Sequence, residues 1–446
     1  MGSMPDLAGF LNQIAVVWAL AANTWWLFAP PALWYAAKNS WRYYLKVRYF
    51  SSLEWVLLEV KIPRDVSKTP EAMEQVFAGL QGMYWGFDPW EIWWQGLQHD
   101  YAVFELVSIG GQTRFFVRIP AFYRNAVESQ VYAQYPEAEV AEAEDYMAGL
   151  PKVIPNEEWD IFGVEFKLEK PDAYPIRTYR EFLSLAAGKE EFEKVDPFAS
   201  MVELMGRLRP GEHIGYHLLI RPAQEPSPEY WKVEGEKLVA KLLNRKIQPK
   251  KGRIAKTLEP LAPLASGWGE PLRNIAGMEP EEPAEAKREE RPMAFVPPDI
   301  EEQVKAIVRN ISKPGFETVV RFTYAARRDA FSLSHVSSFV GALKTYNTMT
   351  LNGFKFNAAA MATKIAWWLP SFMTRGKKLY KKRLYYDYYR RRKPFVDTWT
   401  MKSARIVLNT EELATIYHYP GQTAKAPLMP RIEARRSMPP ATLPVG

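Results

Sequence analysis

No cysteine occurs among the 446 residues. That excludes disulfides, thiolate metal sites and a cysteine nucleophile. Histidine is nearly as scarce, with His99, His213, His217, His335 and His418 making up the full set of five. No phosphate-binding loop of the form G-x-x-x-x-G-K-[ST] is found. LAAGKEE and TRGKKLY contain Gly-Lys but lack the leading glycine and the hydroxyl. The patterns GxGxxG, GxSxG and HExxH are missing as well. His213 and His217 stand four apart within a strand-like run, EHIGYHLLIR, and so share a face, while Glu212 points to the other. With no third ligand beside them they read as ordinary strand residues. Nothing brings a nucleophile, a base and an orienting group together. The sequence therefore predicts a protein that is not an enzyme and takes no cofactor.

Aromatics and positive charge, in contrast, are plentiful. Aromatics reach 14%, with 16 Trp and 23 Tyr, and the formal net charge is +7, which favours anionic partners. From Leu7 to Phe28 the chain carries no charge. A helix of that length spans roughly 33 Å, about the hydrocarbon thickness of a bilayer. Asn12, Gln13 and Asn23 dilute the run, and Pro30-Pro31 is expected to break the helix. Trp25, Trp26 and Trp34 suit an interfacial belt, and Lys38, Arg42, Lys46 and Arg48 follow it. Basic residues after a span mark the cytoplasmic side. The expectation is a single-pass anchor in the inner (cytoplasmic) membrane, touching membrane lipids, with the body in the cytosol.

The body reads as α+β. Strands are expected at Glu54–Pro63, Tyr101–Ile109, Thr113–Ile119 and Ala138–Glu144, with helices at Ser67–Gly82 and Tyr123–Tyr135 and a turn at Gly110-Gly111. The order βαββαβ predicts a ferredoxin-like domain over residues 51–150. A second such domain is expected in two pieces, 151–247 and 299–365. The Pro- and charge-rich stretch 248–298 between them reads as a disordered insertion. The fold class expected is thus α+β, an N-terminal transmembrane helix followed by two ferredoxin-like domains, the second interrupted.

Two surface features stand out. One is the tryptophan cluster at Trp85, Trp90, Trp93 and Trp94, read either as a loop packed on the body or membrane surface or as a partner-binding patch. The other is RGKKLYKKRLYYDYYRRRK. It carries Arg375, Lys377, Lys378, Lys381, Lys382, Arg383, Arg390, Arg391, Arg392 and Lys393 against the single acid Asp387, with five tyrosines. Such a segment could meet anionic lipid, DNA or an acidic subunit, or be a solvated helix face. A Pro-rich, basic tail follows, within 366–446.

Several stretches together, EWVLLEVKIP, SKTPEAMEQVFAGLQGMY, GYHLLIRPAQ, VLNTEELATIYHYPG and LMPRIEARRSMPPATLP, resemble a known type. It is the N-terminal, non-ATPase region of type IV secretion and conjugative-transfer ATPases of candidate-phyla-type bacteria, together with stand-alone homologues. The resemblance covers most of the chain apart from 248–298. It implies a docking component of a DNA-transfer-like machine whose partner is a motor ATPase or another secretion subunit, with self-association as a further option. The sequence ends at Gly446 without a phosphate loop, so the resemblance implies no ATPase activity here. A tethered nucleic-acid-binding protein using 375–393 is the alternative.

Overall fold

A computed structural model describes residues 7–63, 68–185, 196–223, 231–243, 297–364, 371–398 and 400–420. Most of the 248–298 stretch and the end of the tail lie outside these residues. Helix α1 spans Leu7–Ser52, and strand β1 spans Trp55–Lys61. Then come α2 (Pro70–Gly79), β2 (Ala102–Ile109), β3 (Gln112–Pro120), α3 (Arg124–Gln134) and β4 (Glu139–Glu142). The second half holds β5 (Trp159–Leu168), α4 (Tyr179–Leu185), α5 (Pro197–Gly206), β6 (Glu212–Pro222), α6 (Trp231–Leu242) and α7 (Pro298–Ser312). It continues with β7 (Gly315–Arg327), α8 (Leu333–Lys344), β8 (Phe354–Phe356), α9 (Ser371–Arg390), β9 (Ile406–Asn409) and α10 (Thr410–Ile416).

Two expectations are overturned. Among the described residues no helix is long and apolar enough to cross a membrane. The transmembrane helix and the single-pass localisation built on it are therefore withdrawn. Asn12, Gln13, Asn23 and Thr24 lower the mean hydropathy of the uncharged run, and the same helix continues into its basic stretch. Pro30-Pro31 does not end α1, which is 46 residues long. Proline's fixed φ is compatible with a helix, and α1 continues through the pair at the cost of two backbone donors and of crowding against the preceding turn.

The second correction concerns the sheet. In place of two domains there is one nine-stranded sheet, ordered β4-β1-β3-β2-β6-β7-β5-β8, with β9 paired to β7. Every pairing is antiparallel. Each half orders its strands as two split βαβ units do. The halves fuse because β2 and β6 pair from Ala102↔Ile220 to Ile109↔His213. Either strand left as an edge would expose a long apolar ladder, and mutual pairing satisfies both.

Period-two alternation sorts the side chains onto two faces. One face, with Phe104, Leu106, Val117, Leu218 and Phe322, packs against α2, α3, α5, α8 and α10 in the main apolar core. The other is covered by α9 and the turn after it, through Tyr385, Tyr386, Tyr389 and Phe395.

Candidate functional site

The face beneath α9 carries an unusual row. Register places Glu105 of β2 opposite His217 of β6, His217 opposite Arg321 of β7, and Arg321 opposite Glu165 of β5. Four neighbouring strands thus contribute an acid, an imidazole, a guanidinium and an acid to one line, all buried. Arg321 donates to Glu165 Oε1 from Nε at 3.0 Å and Nη2 at 2.7 Å. Its remaining donors reach the Tyr388 and Lys393 carbonyls at 3.2 and 2.7 Å. Arg392, which follows α9, drops onto the row from above. Nε donates to Glu105 Oε1 at 2.7 Å, and Nη1 and Nη2 hold Asp145 at 2.7 and 2.8 Å. Its backbone has φ 51°, rare for a residue with a Cβ.

Proton positions follow from this geometry. The Tyr146 hydroxyl donates to Glu105 Oε2 at 2.6 Å and lies 2.9 Å from His217 Nε2. Burial, then the charges of Arg392 and Arg321, push His217 well below the usual imidazole range, so it is neutral. Burial likewise lowers His213 to about 3, where it meets the Tyr389 hydroxyl at 2.6 Å. Burial opposes the charge of Arg392, but Glu105, Tyr146 and Asp145 outweigh it and hold its pKa well above the usual value. Two glycines make room for α9. A Cβ on Gly163 would collide with the Tyr385 ring, and one on Gly215 with the Tyr389 hydroxyl. The row couples carboxylates to proton carriers, as a catalytic site would, but its members are sealed under α9. Arg321 and His213 bond from this face to α9 and the turn after it, and Arg392 belongs to that turn. Among the described residues Glu165 Oε2, His213 Nδ1 and His217 Nδ1 are buried without a partner.

The basic segment is therefore divided. Arg392 and Lys382 point inward, Lys382 to Asp160 at 2.5 Å. Lys381 donates to the Lys364 carbonyl at 2.9 Å, Arg390 to that of Lys152 at 3.3 Å, and Arg391 pairs with Asp387 at 2.7 Å. Lys393 lies 5.4 Å over the Tyr388 ring. Arg375, Lys377, Lys378 and Arg383 remain exposed on the outer side with Tyr380.

The tryptophan cluster meets α1. Lys38 and Arg42 lie 5.1 and 5.3 Å from the Trp93 ring, and Trp41 Nε1 donates to the Trp93 carbonyl at 2.9 Å. Leu45 is buried beside Gly96, whose φ of 77° lets the chain turn there. These contacts anchor α1, yet Leu33, Trp34, Tyr35, Tyr43 and Tyr44 on the same helix stay exposed, Trp34 at 74%. Trp26 is exposed as well, its Nε1 bonded to the Asn23 carbonyl, and Arg48 is exposed. The side chain of Trp25 lies outside the described residues. Lys46 is half-buried, and burial together with Arg221 and Arg405 lowers it to about 8.

Sequence reasoning singled out the basic and aromatic residues but missed Glu105, Glu165, Arg321, Asp145 and Tyr146. The available signal was a charged residue inside each of three apolar strands, at Glu105, Glu165 and Arg321. Among the described residues no cluster of three or more His, Asp or Glu could hold a metal ion. Comparison with curated proteins finds no match. Residues 49–428, however, match the family described as "Domain of unknown function (DUF8128)", from the last residues of α1 to beyond α10. The chain belongs to that family of domains of unknown function.

Proposed function

We propose that the protein is a non-catalytic docking subunit that presents the ridge formed by α1 and the tryptophan segment to a partner protein. The observation that supports this most is the exposed aromatic row of α1, held on a helix that Trp93, Leu45 and Gly96 fasten to the sheet. Aromatic residues clustered on a rigid support are the usual centre of a protein interface. Lys38, Arg42 and Arg48 on the same helix favour an acidic partner surface. The resemblance to secretion and conjugation proteins points to a motor ATPase as that partner. The test is co-purification of the full chain, tagged, from its native host. Trp34→Ala with Tyr35→Ala and Tyr43→Ala should lose a stoichiometric ATPase that the unaltered protein retains. Equal recovery would reject the ridge as the docking surface.

A second reading is DNA binding, favoured by exposed Arg375, Lys377, Lys378 and Arg383 beside Tyr380. It predicts affinity that falls steeply with salt and weakens when these four are replaced by Ala. Salt-independent or unchanged binding would exclude it.

A further inference from the structure

Where α1 meets the body, three cations come together. Leu45 is buried, which carries its neighbour Lys46 inward. Arg221, near the end of β6, lies 4.3 Å from the Phe395 ring, and Arg405, just before β9, lies 5.2 Å from the same ring. Phe395 is buried and turned into the left-handed region, φ 48°, so one fixed ring holds both guanidinium groups, and both act electrostatically on Lys46.

The compensating charge is incomplete. Glu317 binds Arg221, with Nε to Oε2 at 2.7 Å. Asp397 acts on Lys46 but also faces Lys402 at 3.8 Å and is exposed. Among the described residues neither Lys46 nor Arg405 forms an ion pair or side-chain hydrogen bond. Arg42, one turn earlier on α1, adds like charge. His99 is near enough to Arg221 and Glu317 to be acted on by both, and its Nδ1 is buried without a partner. Like charges gathered in a half-buried place raise the free energy of the empty site, and an anion lowers it. The Arg405 fork, the Arg221 donors not taken by Glu317 and the Lys46 ammonium together offer the several charged donors that a phosphate oxyanion accepts from.

We propose that Arg221 and Arg405, held at the Phe395 ring, form together with Lys46 a binding site for a phosphate group, either of a free phosphate or of a phosphomonoester headgroup. This goes beyond the docking reading and does not depend on it, because Trp34, Tyr35 and Tyr43 take no part.

The site can be tested by acylation footprinting of Lys46 on the full chain, read by mass spectrometry. The pKa of Lys46, near 8, makes its neutral amine abundant at mildly alkaline pH, and bound phosphate restores its charge and shields it. Inorganic phosphate should slow acylation of Lys46 relative to other lysines, whereas chloride at equal ionic strength should not. Arg405→Gln, at an exposed side chain, should weaken that protection by roughly tenfold while leaving the melting temperature in place. Vesicles containing phosphatidic acid identify the source. Protection by vesicles but not by free phosphate assigns a headgroup, and protection by free phosphate assigns a soluble ligand. No selective protection of Lys46 by either probe, or protection unaffected by Arg405→Gln, would overturn the proposal.

Discussion

Arg392 and Glu105 lie 287 residues apart in the chain and pair deep beneath α9, Nε to Oε1 at 2.7 Å and Nη2 to Oε2 at 3.3 Å. The pair ties the turn after the basic helix to β2, the strand at which the two halves of the sheet join. Removing one partner leaves the other charge buried without compensation. Arg392→Ala should therefore lower unfolding free energy by roughly 3–5 kcal/mol. The double change Arg392→Met with Glu105→Gln should cost clearly less, because no fully buried ion is stranded and only the half-exposed Asp145 loses its partner. Urea denaturation of the three proteins checks this, and equal losses would contradict it.

The glycines under α9 give a second expectation. Gly215→Ala drives a Cβ into the Tyr389 hydroxyl, and Gly163→Ala drives one into the Tyr385 ring. Each should cost about 1–3 kcal/mol through overpacking. Tyr389→Phe removes the nearest obstructing atom and should partly rescue Gly215→Ala, but not Gly163→Ala. Thermal melts of the single and double variants report the difference.

Two acids, the half-buried Asp172 and the buried Glu412, set a pH dependence. Asp172 accepts from the Val407 amide and burial raises it to about 7, while burial raises Glu412 to about 8. Acids whose folded-state pKa exceeds the unfolded value bind protons more tightly when folded. Their contribution is greatest in acid and declines as pH rises through those values. Asp172→Asn with Glu412→Gln should flatten the fall in stability between about pH 5 and about pH 8. His213 and His217, held neutral, act in the opposite sense in both proteins and cancel in the comparison. An unchanged slope in chemical denaturation across that range would count against these assignments.

Trp93 should hold α1 in place. Trp93→Ala removes the ring beneath Lys38 and Arg42, a loss of roughly 1–2 kcal/mol in docking of the helix. Cleavage by trypsin at those two residues should rise by about tenfold, with the melting of the sheet unchanged. Timed proteolysis followed by mass spectrometry measures both sites.

Alternation and turn residues made the strands legible. EWVLLEVKIP, the Gly110-Gly111 hairpin and EHIGYHLLIR lie where their patterns place them. The pairing of β2 with β6 was not legible, because an apolar run shows that it will be buried and not which edge will cover it. The basic, Tyr-rich segment misled for a related reason. A helix dense in Lys and Arg looks solvated, yet Tyr385, Tyr389 and Lys382 recur on one side of α9 and meet Gly163, Gly215 and Asp160 far away in sequence. In α1, absence of charge alone suggested a span, while the amides Asn12, Gln13 and Asn23 carried the contrary information.

The docking role is tested most directly by photo-crosslinking in the native host. A photoreactive residue replaces Trp34 or Tyr44 on the ridge, or Lys344 on α8 as a control. The account predicts a discrete adduct with one protein partner, an ATPase, from positions 34 and 44 and none from 344. No adduct at the ridge, or the same adducts from all three positions, would contradict it.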